Sequence, residues 1–371
     1  MPRPAVRARD AMRPRTTQPA ATRRAGSAYY ALIVPGVEDL AAAELRATGA
    51  TVQETLAGFD ERDSVLMFST KDIRAVLRCG LIDDVFEIVL DDALPPGHGA
   101  PKALGRALER ERVERAMLAH HALRPKRAGR SYKVVARVAG RHPFVRSELE
   151  LAFAGAMGRL LPKWVVTRER AAIELWAHVV GERAIVGIRL SGDELAQRAY
   201  KRAHVIASLT PTIARALVVL AEARPADVML DPMAGAGTIL RERAEAGRAA
   251  CILGGDIDGD ALAAARQNVG KQVLLARWDA TRLPLRDGCI DAVITNPPYG
   301  RQHEAANGLD RLYARSLREA ARVLKLGGRC VVLTGEPQVL SRALPPTLRV
   351  RAKRRLLLRG LPVVAFVLVR V

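Results

Sequence analysis

The sequence predicts an α/β fold: a mostly parallel sheet with a terminal antiparallel hairpin over residues 210–371, preceded by smaller α+β units. Three observations predict it. Val228-Met229-Leu230 is a short apolar run leading into Asp231-Pro232-Met233-Ala234-Gly235-Ala236-Gly237-Thr238, and a helical pattern follows from Ile239. Strand, glycine loop and helix in that order make the opening unit of a doubly wound sheet. Further apolar runs follow, each with a short polar side chain at or just after its end, so that the set reads Asp231, Asp256, Asp279 and Asn296. Ahead of residue 95, strand and helix signals alternate, as in a small α+β sandwich.

Residues 1–26 hold arginine, proline, alanine and threonine with almost no large apolar side chains. They are expected to form a disordered basic tail. Prolines at 2, 4, 14 and 19 break any amphipathic helix, which argues against a transit peptide. Residues 27–95 read as one unit, with strands over 29–34, 65–68 and 85–90, a helix over 37–47 closed by Gly49, and another from Ile73. Leu94-Pro95-Pro96-Gly97-His98-Gly99 marks a boundary.

Residues 96–190 read as a second unit. A charged helical segment runs to Leu123, and the basic loop Arg124-Pro125-Lys126-Arg127-Ala128-Gly129-Arg130 follows. A strand over 132–138 leads to Arg141 and Arg146, then to a helix over 147–161 with Ser147 as N-cap and Glu148 and Glu150 in its first turn. Strands over 172–178 and 183–188 form a hairpin about Gly181. A basic loop beside a small sheet suits RNA phosphates, so Arg124, Lys126, Arg127, Arg130, Arg141 and Arg146 are the candidate RNA contacts.

Residues 191–209 read as a linker. Thr210 before Pro211 has the chemistry of an N-cap and first helical residue, for a helix reaching 223. Strands over 250–255, 272–276 and 291–295 deliver Asp256-Ile257-Asp258, Trp278-Asp279-Ala280 and Asn296-Pro297-Pro298-Tyr299-Gly300. A helix over 309–324, a strand over 329–333 and a hairpin of 348–358 with 363–371 complete the chain.

The net charge of +20 favours a polyanionic partner, nucleic acid above all. Cys79, Cys251, Cys289 and Cys330 lie far apart, with no spacing for a metal or a disulfide framework, which fits a reducing cytoplasm. No apolar run is long enough to span a bilayer. A cytoplasmic monomer is expected.

Two prolines cannot continue a sheet ladder, so the chain turns out at Pro297. That turn sets the Asn296 carboxamide, the Pro297 carbonyl and the Tyr299 ring side by side. Two oxygens can accept the two hydrogens of an exocyclic amine while the ring stacks on a base. Upstream, Asp231 suits a cationic amine, Asp256 both hydroxyls of a ribose, Ile257 an adenine face and Asp279 an adenine amine. Together these read as an S-adenosylmethionine site. The glycine loop lacks the third glycine of the dinucleotide fingerprint and the Lys-Ser/Thr ending of a P-loop.

Residues 231–238 with 296–300 resemble the class I S-adenosylmethionine-dependent amino-methyltransferases. The resemblance implies a Rossmann-like methyltransferase domain, with cofactor contacts from Thr210, Pro211, Asp231, Pro232, Ala234, Gly235, Gly237, Thr238, Asp256, Ile257, Asp279, Ala280 and Asn296. It assigns methyl transfer to Asn296, Pro297, Pro298 and Tyr299. Tyr30 to Glu38 and Ser131 to Arg137 are similar to an N-terminal ferredoxin-like domain and a THUMP domain. That architecture resembles the RNA guanine-N2 methyltransferases acting at position six of tRNA. Met233-Ala234 stands where a Phe-Cys or similar pair is usual, and Arg241 and Arg243 make the next helix unusually basic. Competing readings are guanine methylation of ribosomal RNA, adenine-N6 methylation of nucleic acid, and a non-catalytic RNA-binding protein.

Overall fold

The computed structural model describes residues 29–371 apart from 61, 125–128, 204, 206–207, 300–305 and 359; the side chains of 306 and 307 are also left aside. The expected tail, Lys126, Arg127 and Gly300 lie outside the described residues.

The first half forms one eight-stranded sheet from β1 (Tyr29–Ile33), β2 (Thr51–Leu56), β3 (Ser64–Ser69), β4 (Asp84–Ala93), β5 (Ser131–Ala139), β6 (Val165–Val166), β7 (Ile173–Val180) and β8 (Arg183–Arg189). Its order is β2-β3-β1-β4-β8-β7-β5-β6. The two N-terminal stretches therefore share a sheet, joined where β4 pairs antiparallel with β8. Strands β1 and β3 are buried on both faces. Ala31, Ile33, Leu66 and Phe68 point to one core, and Tyr30, Leu32, Val65 and Met67 to another, as the two-residue strand period requires. Around the sheet lie α1 (Glu38–Ala47), α2 (Ile73–Val76), α3 (Ala100–Ala107), α4 (Arg110–Leu123) and α5 (Arg146–Leu160). The hairpin about Gly181 is present, with φ of 56° at that glycine. A short helix, α6 (Asp193–Gln197), follows β8.

The second half alternates α7 (Pro211–Leu220), β9 (Val228–Asp231), α8 (Thr238–Glu245), β10 (Cys251–Asp256), α9 (Gly259–Asn268), β11 (Val273–Arg277), β12 (Ile290–Thr295), α10 (Ala306–Val323), β13 (Leu324–Thr334), α11 (Pro337–Ala343), β14 (Leu348–Leu358) and β15 (Leu361–Arg370). The sheet order is β11-β10-β9-β12-β13-β15-β14. Strands β9 to β13 run parallel, and β15 pairs antiparallel with both β13 and β14. The order reverses between β9 and β12, so the crevice at their carboxyl ends is the place for a ligand.

One apolar core joins the halves. Ile33 and Leu45 share it with Leu217 and Leu356. Polar contacts reinforce the seam: Thr212 Oγ1 donates to Asp83 Oδ1 at 2.8 Å, Arg354 Nη2 to Asp39 Oδ2 at 2.9 Å, and Leu357 N to Pro35 O at 3.2 Å. Each buried leucine or isoleucine there contributes roughly 1.5–3 kcal/mol. Cutting the chain near 205 would expose this face to water, so the intact chain is the meaningful object for experiment.

Some local expectations are corrected. Helix α5 begins at Arg146, not after Ser147, and Val145 is its cap residue. The Glu148 carboxylate reaches back to accept from the Val145 N–H at 2.8 Å, the return half of a capping box, and no side chain makes the cap bond expected of Ser147. Helix α7 stops at Leu220, short of 223. Strand β13 starts five residues earlier than the expected 329. Strand β2 and helix α11 have no counterpart among the sequence expectations.

Candidate active site

Four adjacent strand ends build the site. β9 ends on Asp231, which is 1% exposed. Its Oδ1 accepts from the Met233 N–H at 3.2 Å, while Oδ2 is buried with no hydrogen-bond partner among the described residues. Burial pushes its pKa up to about 7, and the Asp256 charge adds to the rise. The Thr295 hydroxyl and the Met233 N–H oppose the shift. Thr295 Oγ1 is itself buried with no hydrogen bond of ordinary geometry among the described residues.

The chain then turns through Gly235 and Gly237, with φ of 50° and 76°. Gly237 caps α8, and a Cβ there would lie 2.7 Å from Val269 Cγ1, so both conformation and space demand glycine. Ala234 N donates to Gly255 O at 2.9 Å, which lays the loop over the end of β10. Pro232 O accepts from Trp278 Nε1 at 3.1 Å. Ala234, Thr238 and Ala280 are buried beside these contacts.

Asp256 ends β10. Its Oδ2 accepts from Gly235 N at 2.9 Å and its Oδ1 from Asp258 N at 3.1 Å. The carboxylate thus supports the glycine loop and still has a second lone pair on each oxygen for hydroxyl donors. Asp258 instead caps α9, accepting from Asp260 N at 2.9 Å. Ile257 is 63% exposed, an apolar surface open to a flat ring. Asp279 is exposed and accepts from Thr281 N at 2.8 Å, the use of a turn acid, with its outer oxygen open.

Asn296 follows β12, and its Oδ1 is buried without a partner among the described residues. Thr210 caps α7 with Pro211 as first residue, but its Oγ1 makes no cap bond and is likewise buried and unpartnered. Buried acceptors are satisfied in most folded proteins. Asp231 Oδ2, Asn296 Oδ1 and Thr210 Oγ1 left unpaired are what a site for a polar, amine-bearing ligand would leave. The acceptor set suits a nucleoside with a cationic tail: carboxylates for hydroxyls and an ammonium, with an apolar side chain for the base.

Tyr299 is half-buried, with its ring over Gly335; a Cβ at Gly335 would lie 2.7 Å from Tyr299 Cδ2. Burial raises its pKa. Beneath the turn, Tyr313 of α10 donates to the Pro298 carbonyl at 3.2 Å and meets Thr334 Oγ1 at 2.9 Å. Pro298 O is therefore engaged inside the protein. Sequence reasoning missed Tyr313, although a tyrosine on the helix directly after the turn was a usable signal. It also missed Asn268, which is 2% exposed. Its Oδ1 accepts from Arg202 N at 2.8 Å and Ala203 N at 3.0 Å, and its Nδ2 donates to Ala203 O and Ala236 O. This carboxamide stitches the segment before Thr210 to the glycine loop.

The candidate RNA contacts lie on the other sheet. Arg130 and Arg141 are exposed. Arg146 is exposed but pairs with Glu150 at 3.5 Å. Arg124 is committed elsewhere: it donates to Leu190 O at 3.1 Å and pairs with Glu194. A cavity of about 510 Å³ opens beside it, lined in part by His121, Arg189, Ser191 and Arg198.

Residues 198–356 match the family model described as UPF0020, the RMKL-like methyltransferase domain. The chain is 37% identical over 231 residues to the tRNA (guanine(6)-N2)-methyltransferase of Thermus thermophilus, covering 60% of this chain and 68% of that one. The crystal structure of TrmN from Thermus thermophilus matches with a TM-score of 0.75 and 31% identity, covering 92% of this chain and 99% of that one. The chain belongs to the tRNA guanine-N2 methyltransferase family. The mouse relative, tRNA (guanine(6)-N(2))-methyltransferase THUMP3, is 28% identical over 57% of this chain and 45% of its own length. Among the described residues no His, Cys, Asp and Glu group could hold a metal, and no helix is long and apolar enough to cross a membrane.

Proposed function

We propose that this methyltransferase uses S-adenosylmethionine to methylate the N2 amine of guanosine at position six of the tRNA acceptor stem, in the cytoplasm. The observation that carries the reading is the buried, unpartnered Asn296 Oδ1 at the end of β12, beside the equally unpartnered Asp231 Oδ2 at the end of β9. Two adjacent strand ends thus offer one acceptor for an ammonium and one for an aromatic amine. The cofactor, when bound, supplies an electrophilic methyl on a sulfonium.

The protein's part is orientation. The guanine amine is a weak nucleophile because its lone pair delocalises into the ring. Asn296 Oδ1 and the Pro297 carbonyl hold its two hydrogens, which aims the nitrogen lone pair at the methyl, and Tyr299 stacks on the base. Asn296 has no basic group, so once the new N–C bond forms and the S–C bond breaks, the amine proton passes to water. A paired guanine must leave its helix at a cost of a few kcal/mol, which stacking partly offsets.

Residues 27–95 and 96–190 then act as a ferredoxin-like and a THUMP unit holding the RNA, with 191–209 joining them to the Rossmann-like domain at 210–371. The test is methyl transfer to two tRNA transcripts differing only in guanosine or adenosine at position six. The reading expects label in the first alone; equal labelling of both would remove position six.

A further inference from the structure

Arg198 closes the short helix α6 with φ of 49° and ψ of 126°. A side chain other than glycine rarely takes a positive φ, and such a residue persists only where its surroundings hold it. Here the guanidinium does the holding. It donates to Gly80 O at 2.8 Å, to Cys79 O at 3.4 Å and to Leu195 O, and pairs with Glu242 at 3.6 Å. Only 15% of the side chain is exposed.

These partners belong to different halves of the molecule. Gly80 and Leu81 donate their backbone N–H groups to Glu44 of α1 at 2.9 and 2.8 Å, so the 79–81 turn is fixed to the N-terminal sheet unit. Glu242 lies on α8, the helix that starts at the glycine loop, and is 1% exposed. Its remaining contacts are the Tyr200 hydroxyl at 2.6 Å and Arg215 Nε at 3.3 Å. Arg215 also fills the space over Gly80, where a Cβ would lie 2.1 Å from its Nε. The path from α1 to the glycine loop therefore runs Glu44, the 79–81 turn, Arg198, Glu242. Lysine has a single charged nitrogen and cannot reach three carbonyls and a carboxylate in one plane.

We propose that Arg198 is a positioning residue: its guanidinium fixes the N-terminal sheet unit against the helix of the cofactor loop, and so sets which nucleotide of a held RNA reaches Asn296. The proposal rests on the reading that the N-terminal half holds tRNA. An enzyme that selects its base by distance needs a rigid joint, and a misplacement near 1 Å costs about a hundredfold in rate. The shared apolar core and the seam hydrogen bonds hold the halves together, and Arg198 adds a single side chain that meets both sides at once.

The test uses full-length protein. R198G removes the guanidinium while accepting the positive φ, and E242Q keeps the size of its partner while removing the charge. Each is assayed for S-adenosylmethionine and tRNA affinity by calorimetry, for kcat on tRNA, and for the position methylated by nuclease mapping and mass spectrometry. The expected result is unchanged affinity for both ligands, kcat lower by about tenfold or more, and methyl groups on nucleotides flanking the wild-type target. E242Q shows the same split if R198G does not fold. Wild-type kcat at the wild-type position overturns the proposal. So does a parallel loss of both affinities and kcat, the sign of a merely structural role. A wild-type enzyme that leaves tRNA unmethylated overturns the functional reading itself, and the proposal with it.

Discussion

The Tyr313 hydroxyl donates to the Pro298 carbonyl, 3.2 Å away, and so braces the 296–299 turn from inside the helix that follows it. The same hydroxyl meets Thr334 Oγ1 at 2.9 Å, which ties the turn to the end of β13 as well. Tyr313→Phe keeps the ring and removes both bonds. We expect a loss of about 1–3 kcal/mol of stability, because buried groups are left unsatisfied. Turnover should fall while cofactor affinity holds. Thermal melting and steady-state kinetics would read both, and an unaltered kcat would show that the turn needs no brace.

On the proposed role of the carboxamide oxygen as acceptor for the base, Asn296→Ala should lower kcat and leave S-adenosylmethionine affinity near wild type. Calorimetry and single-turnover methyl transfer separate the two. A normal rate of transfer would mean that the amine is oriented by something else.

Asp256→Ala removes the acceptor proposed for the ribose and also the partner of Gly235 N and Asp258 N. Hydrogen bonds to a charged group contribute about 1.5–3 kcal/mol, so cofactor affinity should weaken by roughly tenfold to a hundredfold. Unchanged affinity would take Asp256 out of the site.

Asp231 has a pH signature. Its folded-state pKa of about 7 lies above the ordinary carboxylate value of 3.8. Between these values the folded protein binds more protons than the unfolded chain, so this group's contribution to stability falls as pH rises towards 7. An ammonium ligand needs the carboxylate ionised. Cofactor affinity should therefore weaken as pH falls below about 7, with proton release on binding. Asp231→Asn should flatten that dependence. Titrations in buffers of different ionisation heat test it, and a pH-independent affinity in the parent enzyme would contradict it.

Arg130 and Arg141 are exposed and pair with no acid among the described residues, unlike Arg124 with Glu194 and Arg146 with Glu150. Arg130→Gln with Arg141→Gln should weaken tRNA binding and lower its salt slope by somewhat under one for each phosphate no longer neutralised. Cofactor affinity should not move. A salt slope equal to wild type would place the RNA elsewhere.

Much of the fold, and the strand ends that frame the candidate site, is legible in the sequence because it rests on local chemistry. The turn at Gly235 and Gly237, the strand-end places of Asp231 and Asp256, the Thr210-Pro211 start of α7 and the hairpin at Gly181 each leave a mark in a few consecutive residues. Strand β2 is hidden because Thr51–Leu56 is an edge segment, exposed or half-exposed along its length, with little apolar signal. The β4–β8 pairing joins residues roughly a hundred apart, and periodicity carries no information about such partners. Asn268 and Arg198 escape for a related reason: each matters through bonds to groups far off in the chain, and nothing in its own surroundings announces that.

The central claim is the identity of the methylated atom. Full-length enzyme, S-adenosylmethionine and unmodified tRNA should be incubated, and the RNA digested to nucleosides for mass spectrometry against standards. The account predicts N2-methylguanosine, formed more slowly in the Asn296→Ala reaction. N6-methyladenosine in its place, or no methylated nucleoside at all, would contradict it.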